Sequence, residues 1–184
     1  HSHLGTRRAG LIFHEEEKGF QRQIHSIENT PFRSRFEDDL AKFAGTSGIG
    51  CISDTDPQPL LVRSHLGIFG ITTVGAINND EALVERYFSG NDSQFMAMSS
   101  GKVNSTELIA ALINQKDTFE EGIRHAQELI DGSCTLMIMT EDGTLVVARD
   151  KMGRLPVLVG KDGDGHCVAF ESFAYHKLGY EDAY

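Results

Sequence analysis

Apolar residues come along this chain in short bursts, and the spacing within each burst predicts the element it forms. Leu11-Ile12-Phe13, between Gly10 and the charged cluster from His14 to Lys18, predicts a strand entering a turn. From Phe36 to Phe43 the period changes: Phe36, Leu40 and Phe43 fall at i, i+4 and i+7, one face of a helix. Gly48 to Ile52, Leu60 to Val62 and the β-branched run Ile68 to Val74 predict three strands, the first two separated by the polar loop from Ser53 to Pro59. Three helices with start signals follow. Asn78 with Glu81, Asn104 with Glu107, and Thr118 with Glu121 each have N-cap and N3 spacing ahead of an apolar stretch. In the third, Phe119, Ile123, Ala126 and Ile130 trace the apolar stripe.

The remaining third of the chain returns to strands. Cys134 to Met139 and Thr144 to Ala148 flank Glu141-Asp142-Gly143, a hairpin signal because glycine supplies positive φ without steric cost. Pro156 to Gly160 and His166 to Phe170 repeat the arrangement around Lys161 to Gly165. Strands, then a block of helices, then more strands predict an α+β fold of layered helix and antiparallel sheet. At 184 residues the chain is read as one domain, 1–184.

Composition narrows the function. With 40% hydrophobic and 24% charged residues the chain has an ordinary globular balance, and its net charge of −10 would repel a polyphosphate, so nucleic acid is not an expected partner. No apolar run approaches the roughly 18 residues that span a membrane, and no signal peptide is visible. Cys51, Cys134 and Cys167 are odd in number and widely spaced, which argues against a disulfide framework and for a reducing cytoplasm.

Several motifs have plainer readings than the chemistry they suggest. Asp162-Gly163-Asp164-Gly165 begins like a calcium loop, but Phe173 stands where the bidentate Glu belongs, so a hairpin turn is expected. Gly48-Ile49-Gly50 lacks the third glycine of a dinucleotide fingerprint, Ser53 standing in its place. His1 and His3 could chelate a metal only with a third ligand, and an exposed terminus is the simpler reading. Cys134 and Cys167 read as core packing, and the Met96–Met98 and Met137–Met139 pairs as core filler. Cys51, beside the polar loop, has no base near it in sequence and is a minor candidate for a nucleophile. Thr72 to Ala76, at a strand end before a capped helix, suits an oxyanion site or a tight turn equally.

Taken in order, the motifs resemble the amino-terminal glutamine amidotransferase domain of the amidophosphoribosyltransferase type, a class II domain of the N-terminal-nucleophile hydrolases. The resemblance rests on His3-Leu4-Gly5 with Ala9-Gly10, Gly48-Ile49-Gly50, Gln58-Pro59 and Gly75 to Asn79. Most specific is Arg149-Asp150-x-x-Gly153-x-x-Pro156-(x3)-Gly160 followed by Ala169-x-Glu171-Ser172-x-Ala174-(x3)-Leu178-Gly179.

It implies a four-layer αββα sandwich and a purine-biosynthesis-type reaction. Glutamine is hydrolysed to glutamate and ammonia through a thioester on an N-terminal cysteine, with no metal or other cofactor. It also implies departures. The nucleophile would lie upstream of His1, on a first strand this chain lacks, so no catalytic residue is assigned here. The family-pocket positions are His3, Gly5, Ser53, Val74, Gly75 and Ser105. Ser53 stands where an Arg would clamp the substrate carboxylate, and Val74 where an Asn would donate to the oxyanion. Ser105 replaces the Asp that would receive the α-amino group, while Gly75 still offers a backbone N–H. Losing an oxyanion donor costs about 10²–10³ in turnover, and each charge-assisted contact to a carboxylate contributes roughly 1.5–3 kcal/mol.

The expectation is therefore a catalytically impaired pseudoenzyme that acts as a binding or regulatory module for a small amino-acid-like ligand. The alternative is an active glutaminase whose cysteine-bearing strand is missing from this chain. Within residues 1–184 no phosphoribosyltransferase domain or diphosphate loop is expected. A partner synthase domain, or self-association through a sheet edge left open, is expected.

Overall fold

The computed structural model describes residues 6–90, 98–99 and 101–184. The first elements are β1 (Arg8–Glu15), β2 (Gly19–Ser26), α1 (Phe32–Ala41), β3 (Ser47–Ser53), β4 (Leu60–Ser64) and β5 (Gly67–Ile77). The helical block follows: α2 (Asp80–Gly90), the short strands β6 (Met98–Ser99) and β7 (Lys102–Val103), α3 (Ser105–Ile113) and α4 (Phe119–Leu129). Then come β8 (Gly132–Thr140), β9 (Leu145–Ala148), β10 (Leu158–Asp162), β11 (Gly165–Ala169), the single-turn α5 (Phe173–His176) and β12 (Glu181–Asp182).

Two antiparallel sheets lie face to face. The first has the order β2-β1-β3, the second β4-β5-β8-β9. Strand periodicity decides which side chains meet between them. Ile12 of β1 lies opposite Arg22 and Ile49 in register and packs with Met139 of β8, joined by Phe20, Met137 and Leu145. On its other face the second sheet presents Phe69, Ile71, Leu136 and Ile138 to the helices, where Leu108, Ile109, Leu112 and Ile113 of α3 and Ile123 and Ala126 of α4 complete a closed core. Phe69 meets Phe119 edge to face at 5.1 Å, and α2 adds Leu83 to this layer.

On the outer side of the first sheet, α1 packs against β2 through Phe36 and His25, whose rings lie 4.8 Å apart. His25 Nε2 lies 2.7 Å from Asp39 Oδ2. The four layers are thus helix, sheet, sheet, helix. A third antiparallel ladder, β11-β10-β12, closes one flank, and β6 and β7 form a two-residue ladder of their own.

The capping signals hold in two of three places. Asn104 Oδ1 accepts from Thr106 N at 2.9 Å and Glu107 N at 3.3 Å, and Thr118 Oγ1 accepts from Glu121 N at 3.2 Å. Asn78 does not cap α2, which starts at Asp80. Instead the Asn78 N–H donates to Asp131 O, while Asn79 donates to Leu129 O and accepts from Asp131 N, so this turn ties β5 to the end of α4.

The stripe on α1 is shorter than its spacing implies. Phe36 is fully buried, Leu40 is exposed, and Phe43 lies beyond the helix against Phe13. Gly143, at φ +80°, forms the expected turn between β8 and β9. Asp162 pairs directly with Gly165, which makes the Asp-Gly-Asp-Gly run a two-residue hairpin turn.

Candidate functional site: a cleft at the end of the paired sheets

The polar loop after β3 crosses the end of β5 and is fastened there by side chains of the loop itself. Gln58, 7% exposed, accepts from Thr72 Oγ1 at 2.9 Å and Thr73 N at 2.8 Å, and its amide donates to Thr73 O at 3.0 Å. Behind it the Thr73 and Thr106 hydroxyls meet at 2.7 Å, locking β5 to α3. Asn104 Nδ2 donates to Pro57 O at 3.2 Å, and Ser105 N donates to Asp56 Oδ2 at 3.1 Å. The start of α3 and the loop therefore form one wall.

These elements enclose a polar cleft of about 200 Å³, lined among others by Ser53, Asp54, Asp56, Val74, Gly75 and Ser105. All four described positions singled out from the sequence, Ser53, Val74, Gly75 and Ser105, converge there. Ser53 ends β3, Val74 and Gly75 lie on β5, and Ser105 opens α3. Gly75 is required sterically, because a Cβ at this position would sit 2.0 Å from the Ser133 carbonyl oxygen on the neighbouring strand. His3 and Gly5 lie outside the described residues, as do His1 and Met96.

The charge of the cleft is one-sided. Among the described residues Asp54 and Asp56 line it and no Lys or Arg does, while at the rim Arg8 Nη1 donates to Thr55 O at 2.8 Å. The N–H groups of Thr6 and Arg7, at 2.7 and 2.8 Å, hold the Asp54 carboxyl below the usual carboxylate range, with the Arg7 charge adding to the effect. Asp54 thereby fastens the segment before β1 to the rim.

Both thiols at the cleft are held in the protonated form. Burial pushes Cys51 upward, partly offset by a hydrogen bond with Thr72, and burial together with the Asp150 charge pushes Cys134 to about 12. A nucleophilic cysteine needs the opposite setting, and no His among the described residues lines this cleft, so the described arrangement does not activate Cys51. Cys134 is buried, as its apolar strand predicts. Among the described residues no three His, Cys, Asp or Glu side chains converge to hold a metal ion.

Between the sheets, sharing Cys51, Ile52 and Val74 with the cleft, lies a second, largely apolar cavity of about 120 Å³. Met137, Val147 and Val168 line it, so β8, β9 and β11 reach this chamber. In the turn between β9 and β10, Gly153 N donates to Asp150 O at 3.0 Å and Met152 N to Asp150 Oδ1 at 2.8 Å. Reading the sequence alone passed over Asp54, Asp56 and Thr135 as lining residues. Only the loop's polarity hinted at the first two.

Two stacked antiparallel sheets between helix layers, with the cleft at their shared end, define the fold of the N-terminal-nucleophile class of amidotransferases. Residues 47–175, well over half the chain, match the family described as the glutamine amidotransferase domain, and the chain belongs to that family. It is 27% identical over 188 residues to the amidophosphoribosyltransferase of Bacillus subtilis, covering 96% of this chain and 37% of that protein. To the amidophosphoribosyltransferase of Archaeoglobus fulgidus it is 26% identical over 153 residues, 79% of this chain and 33% of the relative.

Among solved structures, glutamine phosphoribosylpyrophosphate amidotransferase from B. subtilis, complexed with ADP and GMP, superposes with a TM-score of 0.81 at 26% identity, covering 99% of this chain and 39% of that one. The structure titled as the allosteric regulatory enzyme of purine biosynthesis gives 0.79 at 26% identity, covering 99% and 39%. The chain thus spans under two fifths of the length of these relatives. No helix among the described residues is long and apolar enough to cross a membrane.

Proposed function

We propose that this chain is an amidotransferase-type domain of the amidophosphoribosyltransferase kind, impaired in glutamine hydrolysis and acting as a binding or regulatory module. One observation supports the reading: Ser53, Val74 and Ser105 meet in a single cleft whose lining, among the described residues, holds two carboxylates and no Lys or Arg. Arg7 and Arg8 at the rim are turned to the loop carbonyls of Asp54 and Thr55, so a free amino acid would present its carboxylate beside Asp54 and Asp56 with no Lys or Arg in the described lining, and Val74 has no side-chain donor for a developing oxyanion. The thiols that are present stay protonated, so neither supplies a nucleophile at neutral pH.

The test is ammonia release from L-glutamine by the protein carrying its natural upstream sequence. We expect none above the buffer control, and robust release would overturn the reading.

A second reading has its own support. Among the described strands β3 ends its sheet, and its free edge carries Cys51 at the cleft. An upstream strand bearing a cysteine could pair there and make the domain an active glutaminase. A covalent adduct with a glutamine-like electrophile, located by mass spectrometry upstream of His1, is the outcome specific to this reading. The same edge suits a partner synthase domain or a second copy of the chain. A monomeric sedimentation profile counts against the second copy.

A further inference from the structure

A third cavity, of about 360 Å³, opens between the end of α4, the start of β8 and the turn that joins β9 to β10. Among the described residues it shares only Cys134 with the cleft. Hydrogen bonds fix its frame. Gln127 Nε2 of α4 donates to Arg149 O at 2.6 Å, which ties the helix to the β9–β10 turn. Asn78 N donates to Asp131 O at 2.7 Å and Asp131 N to Asn79 Oδ1 at 2.9 Å, which holds the segment between α4 and β8.

The charged groups on this frame are uncommitted. Asp131, Asp150, Lys151 and Arg154 all line the cavity, and none of them forms an ion pair with another described residue. Asp150 keeps Oδ1 on Met152 N at 2.8 Å, while its Oδ2 is buried and has no hydrogen-bond partner. The neighbouring cation, Arg149, lies over Gly153 and does not line the cavity. Glu128 also lines it, but its charge acts on His125 of the same helix. A half-buried carboxylate without a counter-ion costs free energy, and a ligand that brings one removes that cost. A bare metal ion does not fit, since the carboxylates do not converge as a metal site among the described residues. A simple anion would meet three carboxylates against two cations.

We infer that this cavity is a binding site for a short zwitterion, its ammonium held by Asp131 and Asp150 and its carboxylate by Lys151 and Arg154. Asp131 follows α4, whereas the other three belong to the β9–β10 turn, so an occupant bridges two separate segments. The site lies apart from the cleft and goes beyond the proposed function, which assigns this cavity no role.

The measurement is a titration of the chain, with its natural flanking sequence, by γ-aminobutyrate, followed by NMR shifts of the Met152 methyl group and the Gly132 amide. Butylamine and butyrate serve as probes that carry one charge each. Saturable shifts are expected with γ-aminobutyrate, and either single-charge probe should bind about tenfold more weakly or worse, the loss of one charge-assisted contact. Asp150→Asn keeps an acceptor for Met152 N and should weaken γ-aminobutyrate and butylamine while leaving butyrate unchanged. Arg154→Gln should weaken γ-aminobutyrate and butyrate while leaving butylamine unchanged. Asp131→Asn, at an exposed residue, should repeat the Asp150→Asn pattern and serves in its place if that variant does not fold. Butylamine binding as tightly as γ-aminobutyrate would reduce the site to an acidic patch and overturn the inference. An absence of saturable shifts, or unchanged γ-aminobutyrate affinity in Arg154→Gln, would do the same. Ammonia release from glutamine bears only on the cleft, so the two readings can fail separately.

Discussion

The two faces of the central β4-β5-β8-β9 sheet are built to different standards. Toward the helices, Phe69, Ile71, Leu136 and Ile138 are at most 2% exposed and close-packed against α3 and α4. Toward the first sheet, a compact cluster around Ile12, Ile49 and Met139 gives way within a few residues to the chamber and the acidic cleft. Alternate residues of the same strands serve both faces, so one run of sequence secures the fold on one side and leaves room on the other. Close packing carries stability; the loosely filled face is where a ligand can be accommodated.

This contrast can be broken most forcefully from the packed side. Phe69→Ala removes a fully buried ring and its contact with Phe119, and should cost about 3–5 kcal/mol, read as a lowered urea midpoint with an unchanged slope. Met137→Ala, on the chamber side of the neighbouring strand, should cost only about 1–2 kcal/mol, because its side chain already borders open space. Equal losses for the two variants would remove the distinction between the faces.

Asn104→Ala should fall near the lower figure, about 1–2 kcal/mol, since it deletes the cap of α3 and the bond to Pro57 together. Its cleft should also loosen, seen as faster amide exchange at Ser105 and Thr106. The smallest effect concerns pH. Asp54 is held below its ordinary value of 3.8 by the N–H groups of Thr6 and Arg7. Asp182 is lowered by the Tyr175 hydroxyl and then by His176. Both carboxylates therefore contribute stability that is fully present above the ordinary Asp range and lost as pH falls through their depressed folded values. Denaturation at pH 7, 4 and 3 should register a modest loss concentrated in the last step, reduced in Asp54→Asn.

Much of the layer order was legible because apolar spacing reports burial directly. The strand periods, the helix block and two of the three caps follow from local chemistry, and so does the Asp-Gly-Asp-Gly hairpin. What escaped has a common cause. β2 has no fully buried residue, an outer strand whose polar residues carry no alternation to read. The Asn78 signal failed because a distant partner, the end of α4, recruited the Asn78-Asn79 turn. Met139 is buried between the sheets as expected of a core filler, but Met137, two residues earlier, borders the chamber.

Local sequence determined which segments become strands and helices, since hydrophobic period and capping groups act within a few residues. The resemblance carried by its motifs also pointed to the family. The same resemblance grouped Ser53, Val74, Gly75 and Ser105 in one pocket, whereas tertiary structure alone decided that Asp54 and Asp56 line it and that Thr135 is buried unpaired in the neighbouring chamber. Those properties depend on which strands lie opposite one another, and long-range register is fixed by the packing of whole faces, which no local spacing encodes.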